Sequence, residues 1–192
     1  MLENLIKQST EYLIRKSIIS ADNRDIYEYG FHSFYTNTLI FIIVGAISVV
    51  LKQLPQTIIF HIVFIGLRSV AGGYHAKTQG RCFFMSATIW VLSLFAICIL
   101  SSSIFIIALS AISTLLIWIK APIEHKNNPL GDYRHSKMKT YSRILSLVFL
   151  LSCIVLCILL KTTYMWIAAA FAVGMSAHSL LFVAEMFKKS DR

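Results

Sequence analysis

The stretch ILSLVFLLSCIVLCILLKTTYMWIAAAFAVGMSAHSLLFVAEM, residues 144 to 186, holds two long apolar runs with only KTT, residues 161 to 163, between them. A helix that crosses a bilayer needs about 20 mostly apolar residues. The two runs, 144–160 and 163–186, meet that length, and so short a connection forces a helical hairpin. Reading outward by the same criterion gives four further spans, at about 34–51, 56–71, 82–100 and 103–119. The third and fourth are joined only by SSS, which predicts a second hairpin. The expected fold is all-α, a polytopic integral membrane protein of about six transmembrane helices.

Composition agrees. The chain is 57% hydrophobic and only 14% charged, with a mean hydropathy of +0.70, whereas soluble domains carry about 25% charge. No Pro/Ser-rich linker or internal repeat divides the 192 residues, so one membrane domain, 1–192, is expected. The first twenty residues, MLENLIKQSTEYLIRKSIIS, are too often interrupted by charge to be a secretory signal. Their apolar positions, Leu2, Leu5, Ile6 and Leu13, recur at helical spacing, which predicts an amphipathic helix lying in the membrane interface as part of a cytoplasmic-face segment, 1–30. Asp22, Asp25 and Glu28 then form a small acidic group before the first span.

Lysine and arginine favour cytoplasmic loops. With six spans, every one of the 18 basic residues except Lys52 and Lys161 falls on one side. This predicts cytoplasmic termini and explains the net charge of +9 by anionic membrane lipid rather than nucleic acid.

Four cysteines are present; Cys98, Cys153 and Cys157 sit inside apolar runs, where cysteine behaves as a small hydrophobe. Only Cys82 borders a polar segment, RSVAGGYHAKTQGRC at 68–82. On one straight helix His75 and Cys82 would share a face yet lie about 10 Å apart. Gly72, Gly73 and Gly80 disfavour such a helix and favour turns. The second span is therefore expected to end near Gly72, with the chain folding back before Cys82 opens the third. There a helix N-terminus and the adjacent Arg81 favour a thiolate, the nucleophilic form. His75 is positioned to take the thiol proton and return it to a leaving amine. Free amides at the start of the third span, with Gln79 as a side-chain donor, supply an oxyanion site. One Cys and one His make half a zinc ligand set, so no metal or other cofactor is expected. Spacing alone leaves coincidence open.

The stretch from Arg68 through Gly73 and His75 to Cys82 resembles the signature of the accessory gene regulator protein B family (AgrB). So do the chain length, the basic N-terminal region and a polar segment, EHKNNPLG, at 124–131. The resemblance implies a membrane cysteine endopeptidase of Gram-positive bacteria, with Cys82 as nucleophile, His75 as base and Arg68 in the site's architecture. Its partner would be a small AgrD-like quorum-sensing precursor with an amphipathic leader and an acidic tail. The family scheme removes that tail through a Cys82 acyl-enzyme and closes a thiolactone, or lactone, ring. The basic loop with Lys120, Lys126, Arg134, Lys137 and Lys139 is a candidate site for the acidic tail, and the resemblance also implies a homodimer in the cell membrane. Glu124, Asp132, Asn127 and Asn128 are candidates to orient His75.

Two histidines at membrane depth, His61 and His178, are expected to be neutral and hydrogen-bonded between helices. Facing a common cavity, they would instead support a small transporter or exporter component. A noncatalytic membrane scaffold is the other alternative.

Overall fold

A computed structural model describes residues 2–72, 79–123, 131–160 and 162–190. Every regular element in them is helical, and the chain forms two compact units, Met1–Val50 and Leu51–Arg192. In the first, α1 (Leu2–Arg15) folds back on α2 (Arg24–Val50). The turn begins with Ser17 at φ +55°, whose N–H donates to the Ile14 carbonyl while that of Ile18 donates to Leu13. These two bonds cap the last carbonyls of α1 in the manner of a Schellman motif. Ile6 and Thr10 are buried beneath α1, and Ser9 hydrogen-bonds the Tyr35 hydroxyl at 2.9 Å. Arg24 pairs with Glu28 at 2.9 Å and Glu11 at 3.4 Å. Thus Glu28 has a specific cation, and α2 starts ten residues before the expected span at 34. Hydropathy marks where the apolar run begins, and the helix extends beyond it on the N-terminal side.

The second unit holds α3 (Leu54–Ala71), α4 (Gln79–Ile99), α5 (Ser103–Lys120), α6 (Asp132–Leu159) and α7 (Met165–Ser190). Four segments are long and apolar enough to cross a membrane: Leu54–Ala71, Ser103–Lys120, Asp132–Leu159 and Thr162–Glu185. Shorter apolar segments, Thr38–Val50 and Phe84–Ile99, lie in α2 and α4. Each of the six overlaps an expected span, with Asp132–Leu159 beginning twelve residues before the expected 144 and the two in α2 and α4 shorter than expected. Helices are the form such segments take because lipid offers their backbone groups no hydrogen bonds.

Helix α7 is the centre of this bundle and packs against α3, α4, α5 and α6. Its Ala168, Ala169, Ala170, Ala172, Met175 and Phe182 are fully buried. Small side chains allow close approach, and in lipid that contact, rather than water exclusion, holds helices together. Gly174 shows how close: a Cβ there would stand 3.0 Å from Val63 Cβ and 3.2 Å from the Phe60 carbonyl oxygen. Around this contact, Val63, Leu67, Ala71, Ile117, Ala121, Met175 and Phe182 form one apolar cluster.

Buried hydroxyls add bonds between helices. Ser110 Oγ donates to Cys153 Sγ at 3.3 Å, Thr114 to the Ser146 carbonyl at 3.5 Å, and Ser179 to the Ser113 carbonyl at 3.4 Å. Cys153 is a packed structural residue, as its apolar surroundings predict. Meanwhile large apolar side chains such as Phe95, Phe105, Ile104 and Leu159 face outward, as lipid requires.

Candidate functional site at the exit of α3

Helix α3 ends at Ala71, as the glycines predict, and Gly72 leaves it at φ +77°. Two separate facts require glycine there. The positive φ strains any residue with a Cβ, and a Cβ would meet the Ile123 carbonyl oxygen at 2.6 Å.

The last carbonyls of a helix have no partner inside it, and here distant parts of the chain supply donors. The N–H of Ile123, three residues beyond α5, donates to the Ala71 carbonyl at 3.0 Å. His178 Nε2, from α7, bonds the Gly72 carbonyl at 3.0 Å. Ile123 reaches this place through the cis Ala121–Pro122 peptide. Nearby, Trp118 Nε1 donates to the Arg143 carbonyl at 3.3 Å, and Arg143 Nη2 donates back to the Trp118 carbonyl at 3.1 Å, joining α5 to α6. Three elements therefore meet at the exit of α3, and up-and-down topology puts the N-termini of α4 and α6 at this same end.

Gly73 and His75 lie outside the described residues, as does the expected fold-back of the imidazole on the thiol. Helix α4 begins at Gln79, so the backbone places Cys82 in its first turn, three residues deeper than the expected start at 82. Only the backbone of Gln79 and Cys82 is described. A first turn is where unpaired amide donors and the positive end of the helix dipole are found. Arg68 sits in the last turn of α3, half-buried and four residues before Gly72.

The basic segment differs from the expected loop. Glu124, Lys126, Asn127 and Asn128 lie outside the described residues, and from Asp132 onward the chain is helical and continuous with the span. Lys120 ends α5, exposed. Arg134, Lys137 and Lys139 are exposed on the first turns of α6, as is Asp132. Arg134 and Lys137, three apart, share a face; Lys139 projects elsewhere. Lys137 Nζ lies 6.0 Å from the Tyr133 ring and 5.7 Å from that of Tyr141, held between two aromatic faces.

His178 bonds across helices as expected. His61 bonds the Thr57 carbonyl of its own helix, at 2.8 Å. Sequence reasoning missed the junction of Gly72, Ile123 and His178. Its one visible sign was an imidazole in an apolar run. Among the described residues, no three His, Cys, Asp or Glu side chains gather as metal ligands.

Residues 6–182 match the model of the accessory gene regulator B family. The chain is 25% identical over 190 residues to the accessory gene regulator protein B of Staphylococcus aureus (strain bovine RF122 / ET3-1), covering 98% of each. It is 33% identical over 84 residues to Protein FsrB of Enterococcus faecalis (strain ATCC 47077 / OG1RF), 41% of this chain and 35% of that one. A putative AgrB-like protein of Listeria innocua is 29% identical over 123 residues, 63% of this chain and 60% of the relative. No solved structure matches.

Proposed function

The chain belongs to the accessory gene regulator B family, and on that premise we propose that it is a membrane cysteine endopeptidase that matures a quorum-sensing peptide precursor. The observation that carries this reading is the position of Cys82 in the first turn of α4, reached from the fixed exit at Gly72 through only six residues, 73–78, which include His75. Two anchored ends and a short polar connection suit a site that must hold a thiol and an imidazole in register.

In this mechanism His75 accepts the Cys82 proton, and the thiolate attacks the carbonyl carbon of the scissile peptide bond. The oxyanion is stabilised by amides of the first turn of α4. As the C–N bond breaks, His75 returns the proton to the departing amine, and the acidic tail leaves with a new N-terminus. The precursor remains as a thioester on Cys82. A precursor thiol, deprotonated by His75, then attacks that carbonyl. The C–S bond to Cys82 breaks, His75 reprotonates the enzyme thiol, and a thiolactone is released; a serine attacker gives a lactone. Exchange of one thioester for another is nearly isoenergetic, so ring closure needs no further driving force, provided water is excluded. Apolar walls at the membrane face serve that end.

The precursor's amphipathic leader lies in the interface beside α1 in this reading. Its acidic tail is drawn to Arg134 and Lys137, with Lys120, Lys126 and Lys139 adding to the field. Basic-residue asymmetry supports a cytoplasmic site and termini. The transporter reading loses its main support, because His61 and His178 are each tied to a backbone carbonyl, those of Thr57 and Gly72.

The test is co-expression with an AgrD-like precursor peptide, followed by mass spectrometry. Wild type is expected to release the tail and to show precursor mass on Cys82. Cys82→Ala and His75→Ala are expected to insert normally and to release none. Continued cleavage by the Cys82→Ala protein would end the proposal.

A further inference from the structure

His178 is 1% exposed, on the central helix of the bundle, and its ring packs against Phe64 and Phe182 with centroids 6.4 and 5.9 Å away. For packing alone, phenylalanine would serve in that place. The imidazole costs more, because its Nδ1 is buried and has no hydrogen-bond partner among the described residues. Its other nitrogen defines what it does. The Gly72 carbonyl can only accept, so Nε2 carries the proton and donates to it at 3.0 Å. Gly72 is the one residue through which α3 hands the chain to the segment that holds His75. At φ +77° and ψ −160° its own peptide has left the helical path, so its carbonyl depends on a donor from outside α3.

We infer that His178 is a positioning residue for the reaction, a donor from α7 that fixes the root of the segment holding His75 through the Gly72 carbonyl. This rests on the peptidase reading above. Six residues separate Gly72 from the start of α4, so a rotation of the Gly72 peptide is carried into the placement of His75 against Cys82. The Ile123 N–H to Ala71 bond fixes the helix end, one residue earlier; among the described residues it is His178 that holds the peptide that turns.

The experiment uses the whole chain in liposomes with a synthetic AgrD-like precursor that carries an amphipathic leader and an acidic tail, in single turnover, reading acyl-enzyme formation on Cys82 by mass spectrometry. His178→Phe keeps the shape and the ring contacts and deletes the donor. It is expected to slow acylation at saturating precursor by about 10- to 100-fold, the range for a misplaced catalytic group, while half-saturation stays within about 2-fold. His178→Gln, which puts an amide N–H near the position of Nε2, is expected to recover the rate to within about 3-fold of wild type.

Wild-type acylation by His178→Phe overturns the inference. So does a Gln variant as slow as the Phe variant, which would mean that ring packing is what matters. Should His178→Phe fail to insert, His178→Asn, whose amide falls short of Gly72, replaces it with the same expectation and the same overturning result. Cys82→Ala runs beside them: if that protein still cleaves, the peptidase reading fails, whereas loss of cleavage there with an unaffected His178→Phe removes only the role of His178.

Discussion

The two ends of the α3–α7 bundle are built differently. At one end α4 passes into α5 through Leu100–Ser102, and α6 passes into α7 through a single short turn, Thr162–Tyr164, just ahead of Met165. A Gln53 amide that donates to Cys98 Sγ at 3.0 Å draws the start of α3 to the end of α4. At the other end the connections are longer than these turns and polar, and their roots are fixed one at a time by Ile123, His178 and the Trp118–Arg143 pair. The first end only has to turn the chain round. The second has to hold its connections at defined points, which is what chemistry on a connection requires.

The sharpest way to break this contrast is to lengthen each end by the same amount. Two residues, Gly-Ser, inserted between Ala76 and Lys77 are expected to abolish cleavage, because the proposed dyad of His75 and Cys82 spans the insertion. The same pair between Leu100 and Ser101 is expected to leave activity within about 2-fold, since added length in a simple turn costs well under 1 kcal/mol. Tail release measured in membranes for both proteins checks this, and equal losses would erase the distinction between the ends.

Gly72→Ala attacks the root itself. Its positive φ alone costs on the order of 1–3 kcal/mol, and the new Cβ must displace the Ile123 carbonyl, 2.6 Å away. Thermal unfolding in detergent should show the loss of stability, accompanied by loss of cleavage.

A smaller effect is expected from the Arg134→Glu/Lys137→Glu pair, which reverses the charge on the first turns of α6. Half-saturation for precursor should rise by about 10-fold at low ionic strength and by less than about 3-fold in ~0.5 M salt, because exposed charges are screened. Titration of precursor at both salt concentrations reads this directly, and a shift independent of salt would assign those residues another role.

Smallest of all is Ser102→Ala at the plain end. Serine at a helix N-cap is usually worth about 1 kcal/mol. The Ser102 side chain makes no capping bond to α5, so the substitution is expected to change stability by less than about 0.5 kcal/mol, readable by the same thermal unfolding.

Hydropathy found an apolar segment in each of these helices because transfer into lipid is a sum over single residues, which can be read locally. The same property made it blind to α2 beginning at Arg24 and α6 at Asp132. Stretches such as DYRHSKMKTYSR, 132–143, are polar but good enough helix formers, and nothing in their polarity marks them as part of the same helix as the apolar run. Gly72 was legible as a helix stop for a local reason, its freedom at positive φ. That a Cβ there would meet Ile123, and that His178 would find its carbonyl 106 positions away, had no local signature.

The sequence by itself determined the class of protein, the apolar segments, the end of α3 and the residues that carry the family resemblance. All of these follow from the free energy of residues in lipid or from backbone conformations set by neighbours in the chain. The tertiary structure decided which distant groups complete the exit of α3. Those contacts depend on how closely α7 packs against α3 at Gly174 and Val63, where the shapes of two helices, and no single residue's preference, set the distance.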